Sequence, residues 1–408
     1  MIAQETISQV IGAQRKNLLT KGAGLEREKL ESLPDLSTHA LIVSGIRRCG
    51  KSTLLFQLLN QRYPDALYLN FEDPRLYGFN IKDFARLDNI IQQAGTNTLL
   101  FDEIQIIPEW ERYVRQKLDE NTKVIITGSN ASLLSRELGT KLTGRQITEE
   151  LFPFSFNEYL SLTGQEGSPQ SVSSYLYTGG FPEYVKQGLD DILNYMLDDI
   201  LVRDIAVRYG IRDMDSLRKL TVYLLSNIGK LFTANRLKSL IEVGSTNTIT
   251  EYLSHLEDTY LLYYVPKFDH SYRKRLINPR KVYVIDTGLV RANSVSFSED
   301  LGRLLENMVF LHIRRNFKEI FYFSDKGECD FVVLQKGTIY AAIQVCYDLN
   351  PDNLERELNG INEAMQFFDL KEGLLVTYSQ HDSFDTAGGK VTVVPMAKFL
   401  QRNFTENI

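Results

Sequence analysis

A chain of 408 residues is long enough for two or three domains, each with its own core, and 43% hydrophobic with 24% charged residues is the balance of a globular protein. The formal net charge of -6 gives no global basicity of the kind that advertises nucleic acid. No apolar run approaches the ~20 residues of a membrane helix, and Cys49, Cys329 and Cys346 form no C-x-x-C pair, so neither a disulfide framework nor a zinc site is expected.

Residues 1–21 read as an amphipathic helix through Ile7, Val10, Ile11, Leu18 and Leu19. They lack the basic start, apolar core and small-residue cleavage site of a signal peptide, so a cytoplasmic location is expected. A charged connector, residues 25–36, leads into the apolar run Ala40-Leu41-Ile42-Val43, which reads as a buried strand.

Directly behind it, Gly45-Ile46-Arg47-Arg48-Cys49-Gly50-Lys51-Ser52 fills every fixed position of G-x-x-x-x-G-K-[ST], and a helical pattern starts at Thr53. A triphosphate needs backbone N–H groups converging at the positive end of a helix, and the glycines let the backbone curl that closely. Residues 45–53 are the expected ATP cradle, with Lys51 reaching the β and γ phosphates and Ser52 placing its hydroxyl on Mg²⁺.

Further strands are expected at residues 66–71, ending in Glu72-Asp73-Pro74, and at 97–103, closing on Asp102 and Glu103; residues 83–94 lie between them as a helix. Behind a phosphate loop, Asp102 is the expected metal carboxylate and Glu103 the base that polarises the attacking water. A helix over 109–121 carries Trp110, and a strand over 123–130 ends in polar Ser129 and Asn130. These two either hydrogen-bond the γ phosphate or the water, or cap the helix that follows.

Taken together these segments resemble prokaryotic AAA+-type ATPases, in which a GxRRxGKS-like loop, N-F-[ED]-D, D-E-[IV]-Q and T-G-S-[SN] follow in this order. They stand here at residues 45–52, 70–73, 102–105 and 127–130, and the likeness continues at 143–145, 151–159 and 179–183. The resemblance implies an ATPase core followed by a C-terminal region similar to restriction-endonuclease-like domains.

Arg145, just beyond the core strands, has the charge to stabilise phosphate at the transition state, from its own chain or a neighbour; the alternative is a surface pair with Glu149 or Glu150. Residues 203–281 hold fourteen Lys and Arg against eight Asp and Glu, in the pattern of a winged helix-turn-helix: helices over 216–228, 233–242 and 245–258, a strand over 261–265, Arg273-Lys274-Arg275, and a returning strand over 281–285. Exposed Asn247, Thr248 and His255 beside a positive wing suit double-stranded DNA through residues 245–281, while such modules also serve as plain packing units.

In the last region Glu306 lies on a helix over 301–316, Asp330 opens a strand, and residues 341–346 form the next. A nuclease of the resembled shape carries Glu-x-Lys on that second strand, where this chain has Gln344 and Cys346, so the scaffold is expected without its metal chemistry. Glu306 and Asp330 are expected to survive as an internal hydrogen-bonding pair.

The expected architecture is α/β: a P-loop ATPase domain over residues 1–165, a helical and winged-helix region over 166–282, and a degenerate nuclease-like domain over 283–408. The expected function is Mg²⁺-dependent ATP hydrolysis used as a conformational switch, with a protein partner or self-association and no membrane. The rivals are a nucleotide-controlled DNA-binding regulator and, behind it, an ATP-regulated nuclease.

Overall fold

The computed structural model describes residues 1–36, 38–129, 142, 144–295 and 300–402. The chain divides into two compact units, Met1–Phe152 and Pro153–Ile408.

In the first unit, apolar runs with no internal polar alternation become strands buried on both faces: β1 (Ala40–Ser44), β2 (Leu67–Asn70), β3 (Thr98–Asp102) and β4 (Lys123–Gly128), joined by β5 (Gln146–Glu150). They form one parallel sheet in the order β2-β3-β4-β1-β5. Its helices are α1 (Gln4–Lys21), the short α2 (Lys29–Ser32), α3 (Lys51–Gln61), α4 (Phe84–Ala94) and α5 (Trp110–Asp119).

Ile7 and Val10 of α1 join Leu69, Phe101 and Phe84 in one core, where Phe84 stacks on Tyr113 with ring centroids 3.9 Å apart. Each such buried side chain is worth about 1.5–3 kcal/mol. Gln14 of α1 also closes the sheet edge: its side chain accepts from Asn70 N at 2.9 Å and donates to Asn70 O at 3.0 Å. That pair of bonds satisfies β2 where another strand would otherwise add.

The second unit starts earlier than the expected boundary near residue 165, because residues 153–165 pack forward. Phe154 N donates to Gly180 O at 2.7 Å, and Phe156 and Tyr159 lie against Tyr175. Its middle runs helix Met214–Leu225, β6 (Leu231–Phe232), helices Ala234–Ile241 and Thr246–Asp258, β7 (Leu262–Pro266), helix Tyr272–Ile277 and β8 (Arg280–Val284). The three strands pair antiparallel in the order β6-β8-β7. Thr233 and Ser245 cap their helices by accepting from Arg236 N and Asn247 N.

Helices Thr287–Asn293 and Leu301–Arg314 follow, then a mixed six-stranded sheet in the order β13-β14-β12-β11-β10-β9. Its strands are β9 (Glu319–Ser324), β10 (Glu328–Gln335), β11 (Thr338–Cys346), β12 (Glu372–Thr377), β13 (Asp382–Thr386) and β14 (Gly389–Pro395). Helix Leu354–Phe368 buries Ile361, Ala364 and Met365 in a core with Cys329, Val332 and Leu375. The compact units do not divide near residue 282, because Lys281 of β8 is anchored among residues of the following helix and sheet. Among the described residues no helix is long and apolar enough to cross a membrane.

Candidate active site

Parallel register decides what meets at the first unit's sheet edge. Ser44 pairs with Gly128 and with Glu150, and Asn70 with Asp102, so the C-terminal ends of the strands lie level. Residues 45–50 leave β1 there and turn into α3.

The turn depends on its glycines. Gly50 has φ 104°, in the left-handed region, and a Cβ on Gly45 (φ 153°) would meet Leu151 O at 2.1 Å. Cys49 N bonds back to Ile46 O at 3.3 Å, and the helical ladder begins with Leu54 N on Gly50 O at 3.0 Å. The amides of Lys51, Ser52 and Thr53 therefore precede that ladder at the positive end of α3. Lys51 is buried, with Nζ donating to Gly45 O at 2.9 Å and Ile46 O at 3.0 Å, whereas Ser52 is exposed. Ile46 and Cys49 are buried, Arg47 is half-buried and Arg48 exposed with φ 63°. Burial pushes the Cys49 thiol up against the opposing charges of Lys51 and Arg27, which makes it a poor nucleophile.

Asp102 is fully buried and held by neutral groups. Tyr68 OH donates to Oδ2 at 2.9 Å, Asn70 Nδ2 lies 3.4 Å from the same oxygen, and Thr127 Oγ1 donates to Oδ1. Glu103 turns out of the strand with φ 54°, its N–H on Thr127 Oγ1 at 3.2 Å and its carboxylate accepting from Gln105 Nε2. Burial pushes its pKa above the ordinary glutamate range; Lys51 opposes this, and Asp102 and Glu72 add to it. A raised carboxyl beside a phosphate loop is suited to take a proton.

The structure thus brings Lys51, Ser52, Asp102 and Glu103 to one sheet edge. Ser129 is buried at the end of the neighbouring strand, while Asn130 lies outside the described residues. Arg145 is not brought there. It precedes β5, whose first residue Gln146 pairs with Ala40, roughly 13 Å of strand from the loop edge, and it forms an ion pair with Asp119 at 2.8 Å. A transition-state role from its own chain is therefore excluded by strand direction, and its partner is Asp119 rather than Glu149 or Glu150.

Sequence reasoning missed the groups that hold this site. Arg27, inside the supposed charged connector, is 2% exposed and donates to Cys49 O and Phe152 O, both at 2.7 Å. Gln57 of α3 fixes that connector through Ala23 O, Leu25 O and Arg27 N. Tyr68 read only as a strand residue; Asn70, Gln105 and Thr127 were signalled by their places in the N-F-[ED]-D, D-E-[IV]-Q and T-G-S-[SN] motifs.

In the second unit part of the expected basic surface is engaged within the fold. The Arg275 guanidinium lies over Phe268 and Phe321, Arg280 lies over Phe232 and Tyr264, and Lys281 is buried. His255 is half-buried and stacks on Tyr209 at 3.7 Å instead of being exposed; Thr248 is half-buried and Asn247 exposed. Glu306 and Asp330 are not a hydrogen-bonded pair. They share Lys281 Nζ, at 3.2 and 2.8 Å, with Glu328 at 2.7 Å. Gln344 donates to Glu357 at 2.7 Å and accepts from Asp330 N, and Cys346 donates to Asp348 O.

Residues 37–160 match a family described as an AAA domain; residues 169–299 and 301–399 match two domains of unknown function, DUF8612 and DUF4143. The chain is 36% identical over 358 residues to "Uncharacterized protein MJ1544" of Methanocaldococcus jannaschii, covering 81% of this chain and 79% of that protein. It is 30% identical to an "Uncharacterized protein" of Haemophilus influenzae, covering 86% and 92%. Against the Thermotoga maritima RuvB Holliday junction branch migration motor the TM-score is 0.30 at 16% identity, over 62% of this chain and 89% of that one, too slight a likeness to argue from.

Proposed function

This chain belongs to the family of AAA-domain proteins that includes MJ1544, and from that premise we propose that it binds ATP with Mg²⁺ and hydrolyses it slowly, as a conformational switch. The observation that carries the reading is the shared sheet edge: Lys51 and Ser52 at the start of α3, level with Asp102 and Glu103 at the end of β3.

The donor set fits the ligands. Lys51 and the first amides of α3 suit phosphate oxygens, and the Ser52 hydroxyl and Asp102 carboxylate suit a hard divalent cation or its water shell. Bound Mg²⁺ supplies charge neutralisation on the phosphates. Glu103 accepts the proton of the attacking water, held in position by Gln105 and by its own N–H on Thr127. Asn130 is retained as a candidate for orienting that water, and Arg145 as a candidate to act on a neighbouring copy. The purified protein is expected to release phosphate from ATP only with Mg²⁺, and Lys51→Ala to abolish both nucleotide binding and turnover while remaining folded. Undiminished ATP binding by folded Lys51→Ala would sink this reading.

We read the middle of the second unit as a winged helix acting as a packing module, supported by its order of helices and strands and by the internal engagement of Arg275, Arg280 and Lys281. DNA control through residues 245–281 would draw on exposed groups such as Asn247, Arg273 and Lys274. A salt-dependent mobility shift of duplex DNA by the purified protein would revive it. The nuclease reading is weaker still, since an ammonium already neutralises the carboxylates a metal would need.

A further inference from the structure

We propose that Arg27 is a positioning residue that ties the phosphate loop to the segment by which the chain leaves the first unit, so that ligand-driven rearrangement of the loop is passed to residues 151–152. This rests on the reading of the loop as an ATP site.

The bridge is made of main-chain acceptors. One guanidinium nitrogen of Arg27 donates to Cys49 O, inside the loop, and another to Phe152 O, the last residue before Pro153, both at 2.7 Å. A planar fork spans two carbonyls in fixed geometry, which a lysine ammonium on a flexible stem does not. The loop rests directly on this group: a Cβ on Gly50 would lie 2.9 Å from Arg27 Nη1. Arg27 is itself fixed, because its N–H donates to Gln57 Oε1 at 3.1 Å and Gln57 also holds Ala23 O and Leu25 O. The other end of the loop touches the same exit segment: Leu151 N donates to Ser44 O at 2.7 Å, and Gly45 abuts Leu151 O.

The source of movement is Lys51. Its ammonium has three N–H donors and spends two on Gly45 O and Ile46 O. Reaching both β and γ phosphates requires giving up at least one of those carbonyls, so residues 45–46 change partners when nucleotide binds. Arg27 and the Leu151 bond carry that change to the exit, where Pro153 contributes no N–H of its own.

The test is hydrogen–deuterium exchange at the amides of Leu151 and Phe152 in the full chain, with and without ATP and Mg²⁺, beside an independent ATP-binding titration. In the native protein, ATP is expected to change exchange at these amides by about fivefold or more. In Arg27→Lys, ATP should still bind, with Kd weakened by about tenfold. The exchange response at the same amides should shrink below about twofold. Gln57→Ala, which keeps the guanidinium but frees the connector, should give an intermediate response, so the proposal stays testable if Arg27→Lys folds poorly. Native protein that binds ATP without changing exchange at these amides overturns the coupling, as does an Arg27→Lys variant with the full native response. Failure of the native protein to bind ATP overturns the nucleotide reading itself, and the coupling with it.

Discussion

Asp102 in the first unit and Asp330 with Glu306 in the second are carboxylate centres held in opposite ways. Asp102 is fixed by the hydroxyls of Tyr68 and Thr127 and the amide of Asn70. Asp330 and Glu306 are fixed by the ammonium of Lys281. Neutral donors set a carboxylate's direction and leave its charge uncancelled; an ammonium sets direction and cancels charge. Under the proposed function the first centre meets a cation from outside, whereas the second carries its own in Lys281. Burial acts to lower the Lys281 ammonium, but Asp330, Glu306 and Glu328 outweigh it and hold it well above the usual lysine range.

That contrast predicts different failures. The largest effect is expected at Glu103: Glu103→Gln should keep ATP and Mg²⁺ bound and lower turnover by about a hundredfold or more. Loss of binding in proportion to rate would refute its role as base.

Second comes Lys281→Met, which leaves carboxylates buried without their cation and should cost about 3–5 kcal/mol of stability in chemical denaturation. ATP hydrolysis in the surviving folded fraction should stay near native. A variant as stable as the native protein would show that the second centre is not held by this ion pair.

Asp102→Asn ranks third. It keeps size but turns one acceptor oxygen into an amide that faces a group already donating, so unfolding should shift by about 1–3 kcal/mol, while the Mg²⁺ concentration for half-maximal turnover rises by about tenfold. Unchanged Mg²⁺ dependence would remove Asp102 from the metal site.

The smallest effects are in pH dependence. Burial raises Glu103, so the acid limb of ATP turnover should lie above the ordinary carboxylate range, because the base works only when deprotonated. In the second centre, burial and Asp330 push Glu306 up to about 7 against the pull of Lys281. A carboxyl raised on folding binds its proton more tightly in the folded state. Its contribution to stability is therefore fully present below 4.5 and lost as pH rises to about 7. Glu306→Gln should flatten that part of the stability profile, and an unaltered slope would assign it to other groups.

The first centre was largely legible in the sequence because its chemistry is local. Residues 45–52 are contiguous, and Asp102 and Glu103 end an apolar run whose burial fixes the strand. The outer part of their support was not legible, since Arg27 and Phe152 are 125 positions apart and meet only through the fold. Arg145 shows the same limit: its charge suggested phosphate, but the parallel register of β5 sets it at the other sheet edge. Lys281 counted toward a basic surface, although its acidic partners stand 25 to 49 positions further along. Net charge over a segment does not tell which charges are already cancelled.

Manganese binding measured by paramagnetic resonance on the full chain tests the contrast most directly. About one Mn²⁺ per chain is expected to bind only with ATP, and to be lost in Lys51→Ala or weakened in Asp102→Asn. Mn²⁺ bound without nucleotide, retained in Asp102→Asn and lost in Asp330→Asn, would contradict it.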